Sequence, residues 1–149
     1  MGSRKSNMAS KIREERKAQY MARLNNCPTS PRKMRLVADL VRGMDVTKAA
    51  AVLQFTKKHA ARDLEKLLRS AISNFEQKSG ERYEEADLFI KEIQVDSGRM
   101  LKRIQPAPQG RAYRVRKRSN HVTMILAPAS QDVSARLSKS INETTETEA

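Results

Sequence analysis

The sequence is short of the residues from which most catalytic and structural-metal sites are built. Its 149 residues hold one cysteine, two histidines, no tryptophan, three phenylalanines and three tyrosines. A single cysteine, Cys27, excludes an internal disulfide and any cysteine-based zinc ribbon, and it suits a reducing compartment. No run of 18 apolar residues exists and the N-terminus is polar and basic, so neither a membrane span nor an export signal is expected. The chain is therefore read as cytosolic. There is no GxxxxGK loop, no GxGxxG after a strand and no HExxH, so no metal or other cofactor is expected. His59 and His121 are lone histidines, each a poor start for a metal site, and are read as structural or RNA-contact residues. The acids Glu81, Glu84, Glu85 and Asp87 form a run beside a turn and are read as solvated surface, which leaves an enzyme without an acid, a base or a nucleophile.

The most informative absence is of negative charge. Thirty Lys and Arg against 17 Asp and Glu give a net charge of +13, with a pI of about 10.3. Residues 1–58 carry 14 basic and 4 acidic side chains, and residues 59–96 carry 6 and 9. Residues 97–131 carry eight cations and no acid. A merely soluble surface mixes its signs to limit self-repulsion, so this 35-residue stretch points to a polyanionic partner, nucleic acid first.

The length fits one domain with tails. Residues 1–19, with Arg4, Lys5, Lys11, Arg13, Arg16 and Lys17 and no apolar stripe, read as a flexible basic arm, part of which becomes helical against a partner. Residues 20–131 read as the folded domain, and 132–149, rich in Ser, Thr and Glu, as a disordered acidic tail. Within the domain, residues 20–26 are a strand candidate. Ser30 is placed to cap a helix with Pro31 at its first position, and Met34, Val37, Ala38 and Val41 share one face of it up to Gly43. A second helix fits 47–55 with Ala50, Leu53 and Val46 inward. A third fits 58–78, where Ala61, Leu64, Leu67, Leu68, Ala71, Ile72 and Phe75 form a continuous stripe closed by Gly80. Residues 88–95 and 121–126 read as strands. The 25 residues between them centre on Pro106-Ala107-Pro108-Gln109-Gly110, so they read as one long antiparallel hairpin, at residues 97–120, that turns there.

Two groups of cations are candidate phosphate ligands. Arg32, Lys33 and Arg35 crowd the first turn of a helix, where their charge opposes the helix dipole unless an external anion sits between them. Arg99, Lys102, Arg103, Arg111, Arg114, Arg116, Lys117 and Arg118 lie on the hairpin arms, with Tyr113 among them as a platform on which a base can stack. Arginine outnumbers lysine six to two on these arms, which favours forked phosphate contacts over diffuse attraction. Two other functions compete with RNA binding. A β-ribbon DNA regulator needs a short ribbon in a symmetric dimer, and no dimer face or homo-oligomer is expected here; an RNA-processing enzyme needs the chemistry already found missing.

The stretches SPRKMRLVADLVRGMDVTKAAAVLQFTKKHAARDLEKLLRSAISNFE and IKEIQVDSGRMLKRIQPAPQGRAYRVRKRSNHVTMIL closely resemble the bacterial large-subunit ribosomal protein twenty-two family, over residues 23–127. The resemblance implies an α+β fold, three helices packed on a small three-stranded antiparallel sheet with a long extended β-hairpin. It implies a structural constituent of the large subunit that supports assembly, whose hairpin threads through ribosomal RNA and lines the nascent-peptide exit tunnel. The implied partners are large-subunit ribosomal RNA, neighbouring ribosomal proteins at the tunnel exit and the nascent peptide. By the same resemblance Ser30, Arg32, Lys33 and Arg35 contact RNA at a helix start, and Lys102, Arg103, Arg111, Arg114, Lys117 and Arg118 pack along it. The tip, Ile104, Gln105, Pro106, Ala107, Pro108, Gln109 and Gly110, approaches the tunnel constriction near the macrolide-binding region. Many members carry basic residues where this tip has Ala107 and Gln109, so nascent-chain contacts there are expected to be electrostatically weaker.

Overall fold

The first firm helix starts where local chemistry allows it. Ser30 adopts φ −63° and ψ 137°, and its carbonyl accepts the Lys33 N–H at 3.0 Å and the Met34 N–H at 3.1 Å. Pro31 follows at a position whose N–H would be unbonded in any residue, so a helix can begin there without loss. The computed structural model describes residues 3–84 and 86–128. In it this helix, Pro31–Val41, is the second of four: α1 Ser3–Ala18, α2 Pro31–Val41, α3 Val46–Phe55 and α4 His59–Ser79. Three strands complete the described residues, β1 Tyr20–Cys27, β2 Leu88–Pro106 and β3 Ala112–Pro128, in the order β1-β3-β2, with both pairs antiparallel. The α+β class is as expected. The expected count of three helices becomes four, because residues 3–18 are helical throughout. The expected acidic tail, 132–149, lies outside the described residues.

Helices α2, α3 and α4 cover one face of the sheet. Their inward residues follow the apolar spacing of the sequence: Met34, Val37, Ala38 and Val41 of α2 are buried, as are Ala61, Leu64, Leu67, Leu68, Ala71 and Phe75 of α4. Ile72 is half-buried at the edge of that stripe. In α3 the buried set is Val46, Ala49 and Leu53, so Ala49 takes the place expected of Ala50. The helix begins at Val46, one residue earlier than expected, with the Ala49 N–H bonded to the Asp45 carbonyl at 2.8 Å. Gly80 closes α4 at φ 76°, in the left-handed region that glycine enters without strain. From the sheet, Ala22, Cys27, Ile90, Ile93, Val95, Val122, Met124 and Leu126 meet these helices, and Tyr20 packs edge-on against Phe75 with ring centroids 4.7 Å apart.

Two irregularities in β2 decide where its side chains point. The register slips between Ile90 and Glu92, so the buried positions change from Leu88 and Ile90 to Ile93 and Val95, which breaks a strict alternation in LFIKEIQV. A second slip, between Ser97 and Met100, marks the point where the strand leaves the helices. Beyond it β2 and β3 continue as a two-stranded hairpin to the pair Pro106 and Ala112.

The outer edge of β2 inside the domain is occupied along its length. The linker after α2 bonds to it, Gly43 N–H to the Ile90 carbonyl at 3.1 Å and Ile90 N–H to the Met44 carbonyl at 2.9 Å. Arg42 Nη2 donates to the Ile93 carbonyl at 3.2 Å, and Arg35 donates from both Nε and Nη2 to the Val95 carbonyl, at 3.3 and 3.0 Å. An exposed strand edge is a template for unwanted pairing. Here two arginines and a linker close it.

Candidate nucleic-acid interface

The hairpin is built from side chains that cannot bury one another. Residues opposite each other in an antiparallel pair share a face. One face therefore carries Met100 with Arg118, Lys102 with Arg116, Ile104 with Arg114, and Pro106 with Ala112. The other carries Leu101 with Lys117, Arg103 with Val115, and Gln105 with Tyr113. The first face holds four cations and the second two, so the hairpin has a strongly charged side and a mixed side.

The charged side is the outward continuation of the core. Along β3 the alternate residues Leu126, Met124, Val122 and Asn120 are buried, and the same row then continues as Arg118, Arg116 and Arg114, all exposed. The row changes from apolar to cationic at Asn120. This asparagine is fully buried, and its Nδ2 donates to the Thr29 carbonyl, just ahead of α2. That bond, with Cys27 paired to Asn120 across β1 and β3, sets the start of α2 beside the root of the hairpin. The two cation groups that the sequence separates by some 65 residues thus share one end of the domain.

Not every expected ligand is equally free. Arg32 and Lys33 are exposed at the start of α2, and the Ser30 hydroxyl makes no capping hydrogen bond. Arg35, expected with them, commits two of its donors to Val95. Arg99, Lys102, Arg103, Arg111, Arg114, Arg116, Lys117 and Arg118 are all exposed. Among the described residues no ion pair involves any of them; the pairs found join Arg42 to Asp39, Lys48 to Asp45, His59 to Asp63 and Arg69 to Glu65. Tyr113 is 62% exposed and Ile104 76%, near the tip. The turn itself is tight: Ala107 N–H bonds the Arg111 carbonyl at 3.0 Å, and Gln109 and Gly110 are consecutive left-handed residues at φ 61° and 71°.

His121 sits at the hairpin root in a structural setting. Its Nδ1 accepts the Asn26 N–H at 3.1 Å, across a bulge in β1 where Asn26 takes φ 55°. Its Nε2 faces Gly98: a Cβ at position 98 would stand 3.1 Å from that nitrogen and 3.2 Å from the Ser119 carbonyl carbon. Gly98 and Asn120 shape this root, and the residue pattern does not single them out. Only Gly98 carried a signal, as a glycine within a strand, which often marks a bulge or a close backbone approach.

Elsewhere the structure offers little to a reaction. Cys27 is buried, and its thiol donates to Asp63 Oδ2 at 3.4 Å. A cleft of about 320 Å³ is lined by Asp45, Val46, Thr47, Tyr83, Glu84, Asp87 and Leu88. Within it the Glu84 carboxylate holds the Tyr83 phenol pKa above its ordinary value, first by a hydrogen bond and then by charge, which makes the phenol a weaker acid that keeps its proton.

Comparison with known proteins agrees with this geometry. The family described as ribosomal protein L22p/L17e matches residues 22–127, which hold the three packed helices and all of the sheet but Tyr20, Met21 and Pro128. The chain is 63% identical to a large ribosomal subunit protein uL22 of Flavobacterium johnsoniae over 127 residues, 85% of this chain and 93% of that one. It is 61% identical to the uL22 protein of Christiangramia forsetii, covering 85% of this chain and 94% of that one. With the uL22 protein of Bacteroides thetaiotaomicron it shares 56% over 132 residues, 89% of this chain and 97% of the relative.

Proposed function

The chain belongs to the ribosomal protein L22p/L17e family and is a structural, non-enzymatic constituent of the large ribosomal subunit, and from that premise we propose how its parts are used. The hairpin binds large-subunit ribosomal RNA, with the row Arg114, Arg116 and Arg118 and its neighbour Lys102 against phosphates. Arg32, Lys33 and the Ser30 hydroxyl take a further RNA segment at the start of α2, beside the hairpin root. Arg99, Arg103, Arg111 and Lys117 complete the sheath of contacts, and Tyr113 stacks on a base. Arg35 contributes through the strand edge that it closes. The protein is ribosome-bound, and the exposed Leu36 and Leu40, one turn apart on α2, give its domain an apolar strip for a neighbouring ribosomal protein.

One observation carries this reading: eight cations, with no acid among them, sit on a two-stranded ribbon whose two outer edges have no protein partner among the described residues. An isolated hairpin is marginal in water, and this one repels itself. Folded RNA supplies both the counter-charge and the donors and acceptors for the open edges. The tip from Ile104 to Gly110, with Ala107 and Gln109 in place of cations, lies at the tunnel wall near the macrolide-binding region and meets the nascent peptide with little electrostatic pull.

Sedimentation of cell extract through a sucrose gradient after a high-salt wash tests the reading. Contacts made only by surface phosphates weaken by orders of magnitude as salt rises, whereas a ribbon threaded through folded RNA is trapped. Retention at one copy per large subunit is expected. Release to the top of the gradient would remove the threaded hairpin from the account.

A further inference from the structure

Helix α1 has no reason of its own to be ordered. All its described side chains are exposed, Met8 by 68% and Ile12 by 40%, and no apolar stripe holds it to the core. Helices of 16 residues are marginal in water without packing. Yet its C-terminal end is fastened: Lys78 Nζ donates to the carbonyls of Lys17 and Gln19, at 3.2 and 2.8 Å, and lies 5.9 Å from the centre of the Tyr20 ring. These bonds satisfy carbonyls that a helix end leaves open. The whole helix, about 24 Å long at the usual rise, runs out from this fastened end with its described side chains exposed.

Its charges are not spread evenly round the helix. At about 100° per residue, Lys5, Arg13, Arg16 and Lys17 fall within an arc of about 120°. The residues between them on that arc are Ser6 and Ala9, which are short, and the helical register gives the arc no acidic position. The opposite side carries Arg4 and Lys11 and has only Met8 and Ile12 as large apolar groups, with no aromatic residue, too little to seat a helix in a lipid surface. A face of four cations separated by short side chains suits a backbone of closely spaced phosphates.

We infer that α1 is a separate RNA-binding element, which sets Lys5, Arg13, Arg16 and Lys17 against phosphates of large-subunit ribosomal RNA and gives the protein a contact independent of its hairpin. The family match begins at residue 22, after this helix, so the family assigns it no part. The inference rests on the RNA-binding reading above. It makes the N-terminal segment a positioned anchor in place of the flexible arm expected from its composition.

The test is binding of the full chain to a large-subunit ribosomal RNA transcript, followed across a series of KCl concentrations. Replacing Lys5, Arg13, Arg16 and Lys17 by Gln keeps helix propensity nearly constant, and circular dichroism checks that the helix and the melting temperature survive. The slope of log K against log salt should become shallower by about 3, in proportion to the phosphates released. A control that replaces Lys48, Lys57, Lys66 and Lys91 by Gln makes the same change in net charge on the domain surface and should leave the slope nearly unchanged. Equal losses from the two sets would overturn the inference, since α1 would then act only through net charge. A third set, Arg114, Arg116 and Arg118 to Gln, separates the two claims. If it flattens the slope and the α1 set does not, α1 is not an anchor and the hairpin reading stands. If neither set changes the slope, the RNA-binding reading itself fails.

Discussion

Strands β2 and β3 pass through two environments that treat the same backbone in opposite ways. Between residues 88 and 96 the β2–β3 pair is covered on one face and both edges: helices lie on that face, β1 on the far edge of β3, and the 43–45 linker with Arg42 and Arg35 on the outer edge of β2. From Met100 to Pro106 and from Ala112 to Arg118 the same two strands have exposed faces and open edges. The domain is stable through contacts within the chain. The hairpin is specified by its sequence but completed by something anionic outside it. Ladder pairing alone therefore does not make a sheet self-sufficient; covered edges and a buried face do.

The comparison can be broken most forcefully inside the domain. Leu64→Ala, at a position with no exposed surface, should lower the free energy of unfolding by about 2–5 kcal/mol, as a denaturant titration would register. A loss under 1 kcal/mol would mean the α4 stripe is not the core. At the seam between the regions, Gly98→Val should destabilise by about 1–3 kcal/mol, because the added carbon meets His121 Nε2 and the backbone of Ser119 and Asn120. Amide exchange should then speed up first around residues 97–121, with the helices still protected. The smallest effect should come from the largest excision. Joining residue 98 to residue 119 through a short turn, without 99–118, should change stability by less than about 1 kcal/mol, since the segment buries nothing. A shortened chain that no longer folds would show that the hairpin supports the domain.

Much of this architecture is legible in the residues, and the reasons vary by element. Helices α2 and α4 have apolar stripes wide enough to fix both type and phase. In α3 the run Ala49-Ala50-Ala51 is uniform in size, so the phase is settled by where Asp45 lets the helix begin. Helix α1 escapes a reading that looks for an apolar face, and its C-terminal end is tethered by Lys78, 61 residues from Lys17. At the interface, the acid-free run marks the hairpin from composition alone. The same reasoning cannot separate Arg35 from Arg32 and Lys33, because all three are cations in one helical turn. What distinguishes Arg35 is a strand-edge carbonyl from residue 95, a neighbour that only tertiary structure provides.

The row formed by Arg114, Arg116 and Arg118 has a consequence for how this protein can change over generations. Alternate residues of a strand share a face, so one residue inserted or lost between Arg118 and Asn120 would turn all three arginines to the opposite side of the ribbon while leaving the core row of Val122, Met124 and Leu126 in place. A change of length on one arm must also be matched on the other to preserve the pairing from Met100 to Pro106. Point substitutions along the row adjust its charge one step at a time, whereas a change of length in β3 between Arg118 and Asn120 keeps the row on its side of the ribbon only in even steps. At that seam the ribbon behaves as a ruler with fixed graduations, and lineages that lengthen β3 there are expected to do so by two residues at a time.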